Sequence, residues 1–292
     1  MIALGEWMEL LACPACGGAL QAVEEGLGCA PCGRRYPLSD GLVACLPPAE
    51  LRRFDELAQG YREARLRDGW QPMTAEEAWA LPEGRPAGYP ALYWEVRRQS
   101  CRALWRALAQ RAALVGACVA DLGAGTGWLS HRLSQLGGRV VAVESSRDQD
   151  FGLGAAARHY LPRAAFLPVL GDLERPPLAE GRFDLIVYNA SLHYAGDLEA
   201  TLRRGAAALK AGGWLVVMDT PIAREPLPGT GRGDRHLGRR ELAAALAGAG
   251  LRASWLRVTR GPRWWLRQAK VLIKGSEPFS FPLVVAERDG SR

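Results

Sequence analysis

Two groups of residues are best suited to chemistry. Cys13, Cys16, Cys29 and Cys32 form two C-x-x-C pairs, in LACPACGG and LGCAPCGR, each followed by glycine. Two intervening residues let one turn aim both thiolates at one metal, and four thiolates complete a closed, structural tetrahedral zinc site. The following glycine frees backbone N–H groups to bond the sulfurs. Twelve residues separate the pairs, slightly short of common ribbon spacing but enough for a short hairpin. Two disulfides or a redox dithiol are the competing readings. A reducing compartment argues against the first, and the duplicated glycine against the second. The other group is a glycine loop within VADLGAGTGWLS, residues 119–130. Gly123, Gly125 and Gly127 let the chain turn sharply and let a flat or charged ligand approach without meeting a Cβ. The helix that follows offers free N–H groups to an anion. A dinucleotide fingerprint would place its third glycine at position 128, which is Trp. Glu144 ends the next apolar run, about 20 residues on, where doubly wound folds hold a ribose diol.

The elements that position these groups alternate between apolar runs and helical patterns, as in α/β folds. FLPVLGDLERPP places Asp172 just past a third apolar run. RFDLIVYNASLHY closes on Asn189, Ala190 and Ser191. LRRGAAALKAGGWLVVMDTP reads as a helix, a turn at Gly212-Gly213 and a strand ending at Asp219. FPLVVAER reads as a closing strand at an antiparallel edge.

Asp121-x-Gly123-x-Gly125-x-Gly127 resembles motif I of the class I S-adenosylmethionine (SAM) methyltransferases. The later elements match that family in order over about a hundred residues. The resemblance implies an α/β, Rossmann-like seven-stranded sheet with an antiparallel last strand, and SAM as cofactor. It implies a SAM site built from Asp121, Gly123, Ala124, Gly125 and Gly127. Glu144 and Ser145 would meet the ribose, and Asp172 and Leu173 the adenine, with Asp172 accepting from the amino group. Asn189 and Ala190 would face the methionine end, and Tyr93 would close the pocket. The span Leu10 to Pro47 resembles the small zinc-ribbon subunit that activates several tRNA, rRNA and protein methyltransferases, here fused to its enzyme. Tyr36, Pro37, Asp40 and Gly41 match its interface or turn positions.

Methyl transfer from a sulfonium needs alignment and exclusion of water more than charge stabilisation. A base is needed only where the acceptor must lose a proton. His193 is placed for that role, with a suitable ordinary pKa. Tyr194 and Tyr188 are weaker candidates, and Asp219 could orient an acceptor. The tetrad of base-amine methyltransferases is replaced by Asn189-Ala190-Ser191-Leu192, which argues against exocyclic amines.

Pro47-Pro48 marks a boundary, giving a zinc ribbon over 1–47, a helical linker and cap over 48–112, and a SAM-binding domain over 113–292. Residues 49–69 read as a helix with Phe54, Leu57, Ala58 and Tyr61 on one face. A second helix runs over 93–115. Tyr61, Tyr93, Trp94 and Arg97 are candidates to line the pocket. Residues 220–242 read as a long loop whose Arg224, Arg232, Arg235 and His236 could meet an anion or only water. In residues 261–275, Arg263, Arg267, Lys270 and Lys274 form a basic edge beside Trp265, Leu266, Ala269, Leu272 and Ile273. Such a helix suits an anionic membrane surface or a nucleic-acid backbone, or packs over the active-site mouth with its arginine stems flat on the protein.

Cys45, Cys101 and Cys118 sit in apolar contexts and read as buried hydrophobes. The net charge of +6 is nearly all arginine, as GC-rich coding or an acidic partner would give. No signal peptide or membrane-spanning run is visible, so a cytoplasmic location is expected. The leading reading is a SAM-dependent methyltransferase acting on a small or lipid-like acceptor. The competing readings are an rRNA or tRNA base methyltransferase that docks through its zinc module, and a non-catalytic SAM-fold binding protein.

Overall fold

The computed structural model describes residues 4–39, 41–110, 114–161, 166–228, 234–273 and 277–290. Asp40, Arg232 and Lys274 lie outside the described residues. After a 3-10 helix at Leu4–Leu10 come four short strands, β1 (Leu20–Val23), β2 (Gly26–Cys29), β3 (Arg35–Ser39) and β4 (Leu42–Ala44). Three helices follow: α1 (Pro48–Arg67), α2 (Ala75–Trp79) and α3 (Ala91–Ala109). The alternating part contains β5 (Cys118–Leu122), α4 (Trp128–Gln135), β6 (Arg139–Glu144), α5 (Leu153–His159), β7 (Phe166–Leu170), β8 (Phe183–Asn189), α6 (Leu198–Ala208) and β9 (Leu209–Met218). Short strands β10 (Ile222–Ala223), β11 (Leu227–Pro228) and β12 (Arg235–Gly238) precede α7 (Arg239–Gly248), β13 (Leu251–Leu256), α8 (Pro262–Ile273) and β14 (Leu283–Arg288).

The main sheet runs β1-β2-β3-β4-β7-β6-β5-β8-β9-β14-β13. The expected seven strands occupy its second part. From β5 the order steps one way to β6 and β7, and the other way to β8 and β9. That reversal opens a crevice at the C-terminal ends of β5 and β8, where open α/β sheets bind ligands. Every residue of β5 and β7 is buried, because helices cover both faces of a parallel sheet. Trp94, Cys101 and Leu104 of α3 pack one face with Leu129 of α4. Leu202 of α6 and Leu242 of α7 pack the other.

The N-terminal strands extend the same sheet. Val43 and Ala44 of β4 pair in parallel with Val169 and Leu170 of β7. The Cys45 N–H then donates to the Leu170 carbonyl at 2.8 Å. Trp7, Leu10, Leu27 and Val43 share one core cluster with Val141 and Leu167 of the parallel strands. The ribbon therefore lacks a core of its own, as a module this small would. Cys45, Cys101 and Cys118 are buried as expected.

Four features differ from the sequence reading. β14 is antiparallel but lies inside the sheet, between β9 and β13. Its run from Leu283 to Ala286 is wholly buried, whereas β13 alternates and forms the true edge. Gly212-Gly213 is not a turn before a strand: β9 starts at Leu209, and the glycines sit where the pairing with β8 shifts register. Gly212 adopts φ +71°, which glycine tolerates at such an irregularity. The supposed loop over 220–242 contains a three-stranded sheet, β10-β12-β11. In α1, Ala64 is buried while Leu57 is 56% exposed, so the Phe54–Tyr61 face is not a core face.

Candidate functional site

The glycine loop leaves β5 at the crevice. Gly123 has φ +76°, and a Cβ there would lie 2.2 Å from Cβ of Ser191. Only glycine lets the two strand ends approach so closely. At Gly125, also left-handed at φ +55°, a Cβ would meet nothing within 4 Å. The loop is thus packed tightly below and open above. Its folded shape is fixed by Gly123 and Ala124, whose N–H groups both donate to the Val143 carbonyl, at 2.8 and 3.0 Å.

Glu144 faces this loop. Its Oε2 accepts from the Gly125 N–H at 2.9 Å, and its Oε1 accepts from Ser146 N–H and Ser145 Oγ at 3.0 and 3.2 Å. The carboxylate is half-buried, so further donors can reach it. Asp121 lies beneath the loop, fully buried, with Ser130 Oγ donating to Oδ2 at 2.7 Å. Burial pushes its carboxyl up to about 7 against the Ser130 hydrogen bonds. Its Oδ1 has no partner among the described residues. Asp172, past β7, is raised by burial and accepts from the Glu174 N–H at 2.9 Å. Leu173 beside it packs against the core.

The far wall comes from the ends of β8 and β9. Ala190 and Asp219 both take positive φ, +54° and +53°, rare for residues with a Cβ. Asn189 Oδ1, Asp219 Oδ2 and the Thr220 hydroxyl are buried without hydrogen-bond partners among the described residues. Such groups are costly to leave unpaired. Asp219 Oδ1 accepts from Ser100 Oγ at 2.5 Å, and Ser100 in turn accepts from Arg260 at 3.0 Å. Sequence reading missed Ser100 and Arg260, which lie 160 residues apart and carry no local signal. Ser130 was readable, since it faces back along α4 toward Asp121.

His193 is buried, with Nδ1 unpartnered among the described residues and Tyr194 against its ring at 4.4 Å. Burial lowers its pKa to about 4, so the ring is neutral at pH 7. Tyr188 points away, its hydroxyl 3.5 Å from the Thr201 carbonyl under α6, and cannot reach the crevice. Trp94 packs edge-on against Trp128, the first residue of α4, so α3 covers the loop as expected. Tyr93 lies in a cluster with Trp70 and Tyr89. Of the loop residues, Arg235 pairs with Glu241 at 2.6 Å and His236 packs against Phe279 with tilted rings 4.5 Å apart. Arg224 is exposed.

The four thiols cluster in the ribbon, with all Sγ atoms within 4.8 Å of one another. Cys13 lies 3.7 Å from Cys32, and Cys16 3.5 Å from Cys29. These separations exceed a disulfide bond and suit ligands around one ion. Tyr36 Oη sits 3.0 Å from Cys13 Sγ, where it can donate to a thiolate. Burial opposes ionisation of Cys13, but that contact and the backbone N–H groups of Ala15 and Cys16 bring it down to about 6. Tyr36 therefore serves the cluster, while Pro37 is exposed. Gly41 makes the turn between β3 and β4 at φ +77°.

Comparison with known proteins agrees with this geometry. Residues 120–217 match the family described as methyltransferase domain, and residues 6–41 match Trm112p-like protein. The chain is 32% identical to the demethylmenaquinone methyltransferase of Thermobifida fusca over 42% of its own length and 50% of that protein. It is 29% identical to the malonyl-[acyl-carrier protein] O-methyltransferase of Enterobacter lignolyticus over 61% of its length and 70% of that protein. The match thus spans only about half of the first relative. Among solved structures, geranyl diphosphate C-methyltransferase from Streptomyces coelicolor A3(2) superposes with TM-score 0.52 at 20% identity, covering 75% of this chain and 90% of that one. The chain thus has the α/β fold of class I SAM-dependent methyltransferases, with a methyltransferase-domain match over its parallel strands and a Trm112p-like module before them.

Burial also lowers the pKa of His131, to about 4. His131 and His193 should therefore stay neutral from pH 8 down to about 5.5 in an NMR titration. Each would protonate near pH 6.5 when unfolded, so each contributes stability that is full above 6.5 and drains as pH falls toward 4. Ring shifts titrating near 6.5 in the folded protein would refute this.

Proposed function

We propose that this chain transfers the methyl group of SAM to a small or lipid-like acceptor. The observation that carries the reading is the glycine cradle: open above Gly125, walled by Glu144, and bordered by buried acceptors with no protein partner. When bound there, SAM supplies an electrophilic methyl on a sulfonium. Glu144, steadied by Ser145 and Ser146, would accept from the ribose hydroxyls, and Asp172 from the adenine amino group. Gly123, Ala124, Gly125 and Gly127 would let the nucleoside lie against backbone. Asn189 Oδ1 and Asp121 Oδ1 are suited to an ammonium group, with Ala190 shaping the same wall. Neutral His193 could receive the acceptor's proton, and Asp219, held by Ser100, could orient the acceptor. Tyr93 and Tyr194 would help exclude water.

Cys13, Cys16, Cys29 and Cys32 would hold one zinc ion with a structural role. Because the ribbon shares its core and sheet with the parallel strands, the ion would steady the whole fold.

The lipid-like acceptor is favoured by α8. Trp264 and Gln268 pack inward, while Trp265, Leu266, Leu272 and Ile273 are 55 to 84% exposed. Arg263, Arg267 and Lys270 lie exposed beside them. A cavity of about 620 Å³ between α8 and the small sheet is lined by Ile222, Trp264, Trp265, Ala269, Leu272 and Phe279. An apolar arc with a basic margin suits the surface of an anionic membrane. No helix among the described residues is long and apolar enough to cross one.

Calorimetry should detect S-adenosylhomocysteine binding, weakened tenfold or more by Glu144→Ala; equal affinity in the variant would contradict the ribose assignment. Metal analysis should find about one zinc per chain, and strong chelation should lower the melting temperature of the entire chain in one transition. A separate ribbon transition would contradict the shared core. At low salt the protein should float with phosphatidylserine-containing vesicles and Trp265→Glu should not; wild type that stays unbound would rule out the membrane contact.

A further inference from the structure

Two arginines near the crevice, half-buried Arg65 and buried Arg97, form no ion pair with a carboxylate among the described residues. Arg65 on α1 stacks over Trp70 at 4.1 Å and over Tyr61 at 4.6 Å, and its Nε is buried without a partner. Arg97 on α3 is 9% exposed and stacks over Tyr93 at 3.4 Å. The Trp70 and Tyr93 rings are 4.4 Å apart, so one aromatic stack links both guanidinium groups. Neither forms an ion pair among the described residues, and Arg65 is in hydrogen-bonding contact with the Tyr61 side chain.

Their neighbours behave differently. Arg62, one turn before Arg65, pairs with Asp148 and Asp150 at 3.1 and 2.6 Å. Arg98, next to Arg97, lies 3.6 Å from Glu83. Arg62 and Arg98 find carboxylates, and Arg65 and Arg97 do not. Aromatic faces offset part of the cost of burying a cation, but the buried Arg65 Nε–H still has no acceptor among the described residues. The nearby Asp219 is engaged by Ser100. Both arginines act on His193 through space, as does Asp234 from the opposite sign. Arg97 also lies 5.6 Å over Trp94, which packs on Trp128 at the start of α4, so the pair stands on the helices that cover the crevice.

We infer that Arg65 and Arg97 form an anion clamp for the methyl acceptor, which carries carboxylate or phosphate oxygens on a flat or apolar body. Guanidinium forks match the paired oxygens of either group. Trp70, Tyr89 and Tyr93 supply flat walls for the attached body. This inference rests on the methyl-transfer reading above and narrows its acceptor to an acid.

The test is calorimetry on the full chain saturated with S-adenosylhomocysteine. One arm titrates 4-hydroxybenzoate against neutral 4-hydroxybenzyl alcohol. The other titrates geranyl diphosphate against geraniol. At least one anion should bind tenfold or more tightly than its neutral counterpart, and the arm that responds separates carboxylate from diphosphate. Arg65→Gln and Arg97→Gln should each weaken that anion at least tenfold, Arg97→Lys should recover part of it, and affinity for S-adenosylhomocysteine should stay within twofold. No preference for either anion, or undiminished binding in the Gln variants, overturns the clamp. Loss of S-adenosylhomocysteine affinity in step with the anion overturns it too, by giving the arginines to the cofactor. Wild type that fails to bind S-adenosylhomocysteine would instead sink the methyl-transfer reading, and the anion-over-neutral comparison then judges the clamp alone.

Discussion

Three turns at the ends of adjacent parallel strands govern this molecule. Gly123 after β5, Ala190 after β8 and Asp219 after β9 all take left-handed backbone. Each lets the chain leave its strand abruptly, so the ends of the sheet stay open. The contact of Gly123 with Ser191 then ties two of these turns together. Ser191 Oγ also donates to the Leu122 carbonyl at 2.5 Å. The crevice is therefore a consequence of buried strands that must stop in one place. Two of its three turns keep a Cβ at a conformational cost, and both lie where the acceptor and the methionine end would sit.

The ribbon is joined to that crevice through backbone. β4 adds to β7, and β7 leads directly to Asp172. The thiol cluster and Asp172 are thus held by neighbouring strands of one sheet. The same continuity explains why a fused ribbon suits this chain: hydrogen bonds that two subunits would make across an interface are here made within one core.

Much of the site was legible because its residues are close in sequence or carry fixed spacing. The glycine loop, Glu144, Asp172 and the cysteine pairs are local patterns, and the fold brings each set together. Asn189, Ala190 and Asp219 were readable as strand ends. What escaped notice depends on distant partners. The Arg260–Ser100–Asp219 chain joins three elements. The unpaired state of Arg65 and Arg97 can be recognised only once every nearby carboxylate is located. Tyr188 and His193 look equivalent in RFDLIVYNASLHY, yet Tyr188 packs under α6 from within β8, whereas His193 lies beyond the strand end, in the short 3-10 helix Leu192–Tyr194.

The amino-acid sequence by itself determined the order of strands and helices, the turn chemistry and the metal-ligand spacing, since these follow from short-range periodicity and backbone freedom. Only the tertiary structure decided that β14 lies inside the sheet and β13 at its edge. It alone decided that the ribbon extends the main sheet. It also fixed which charges are paired and which are not. Those outcomes depend on contacts between residues far apart along the chain, where burial and pairing compete and no local pattern records the winner.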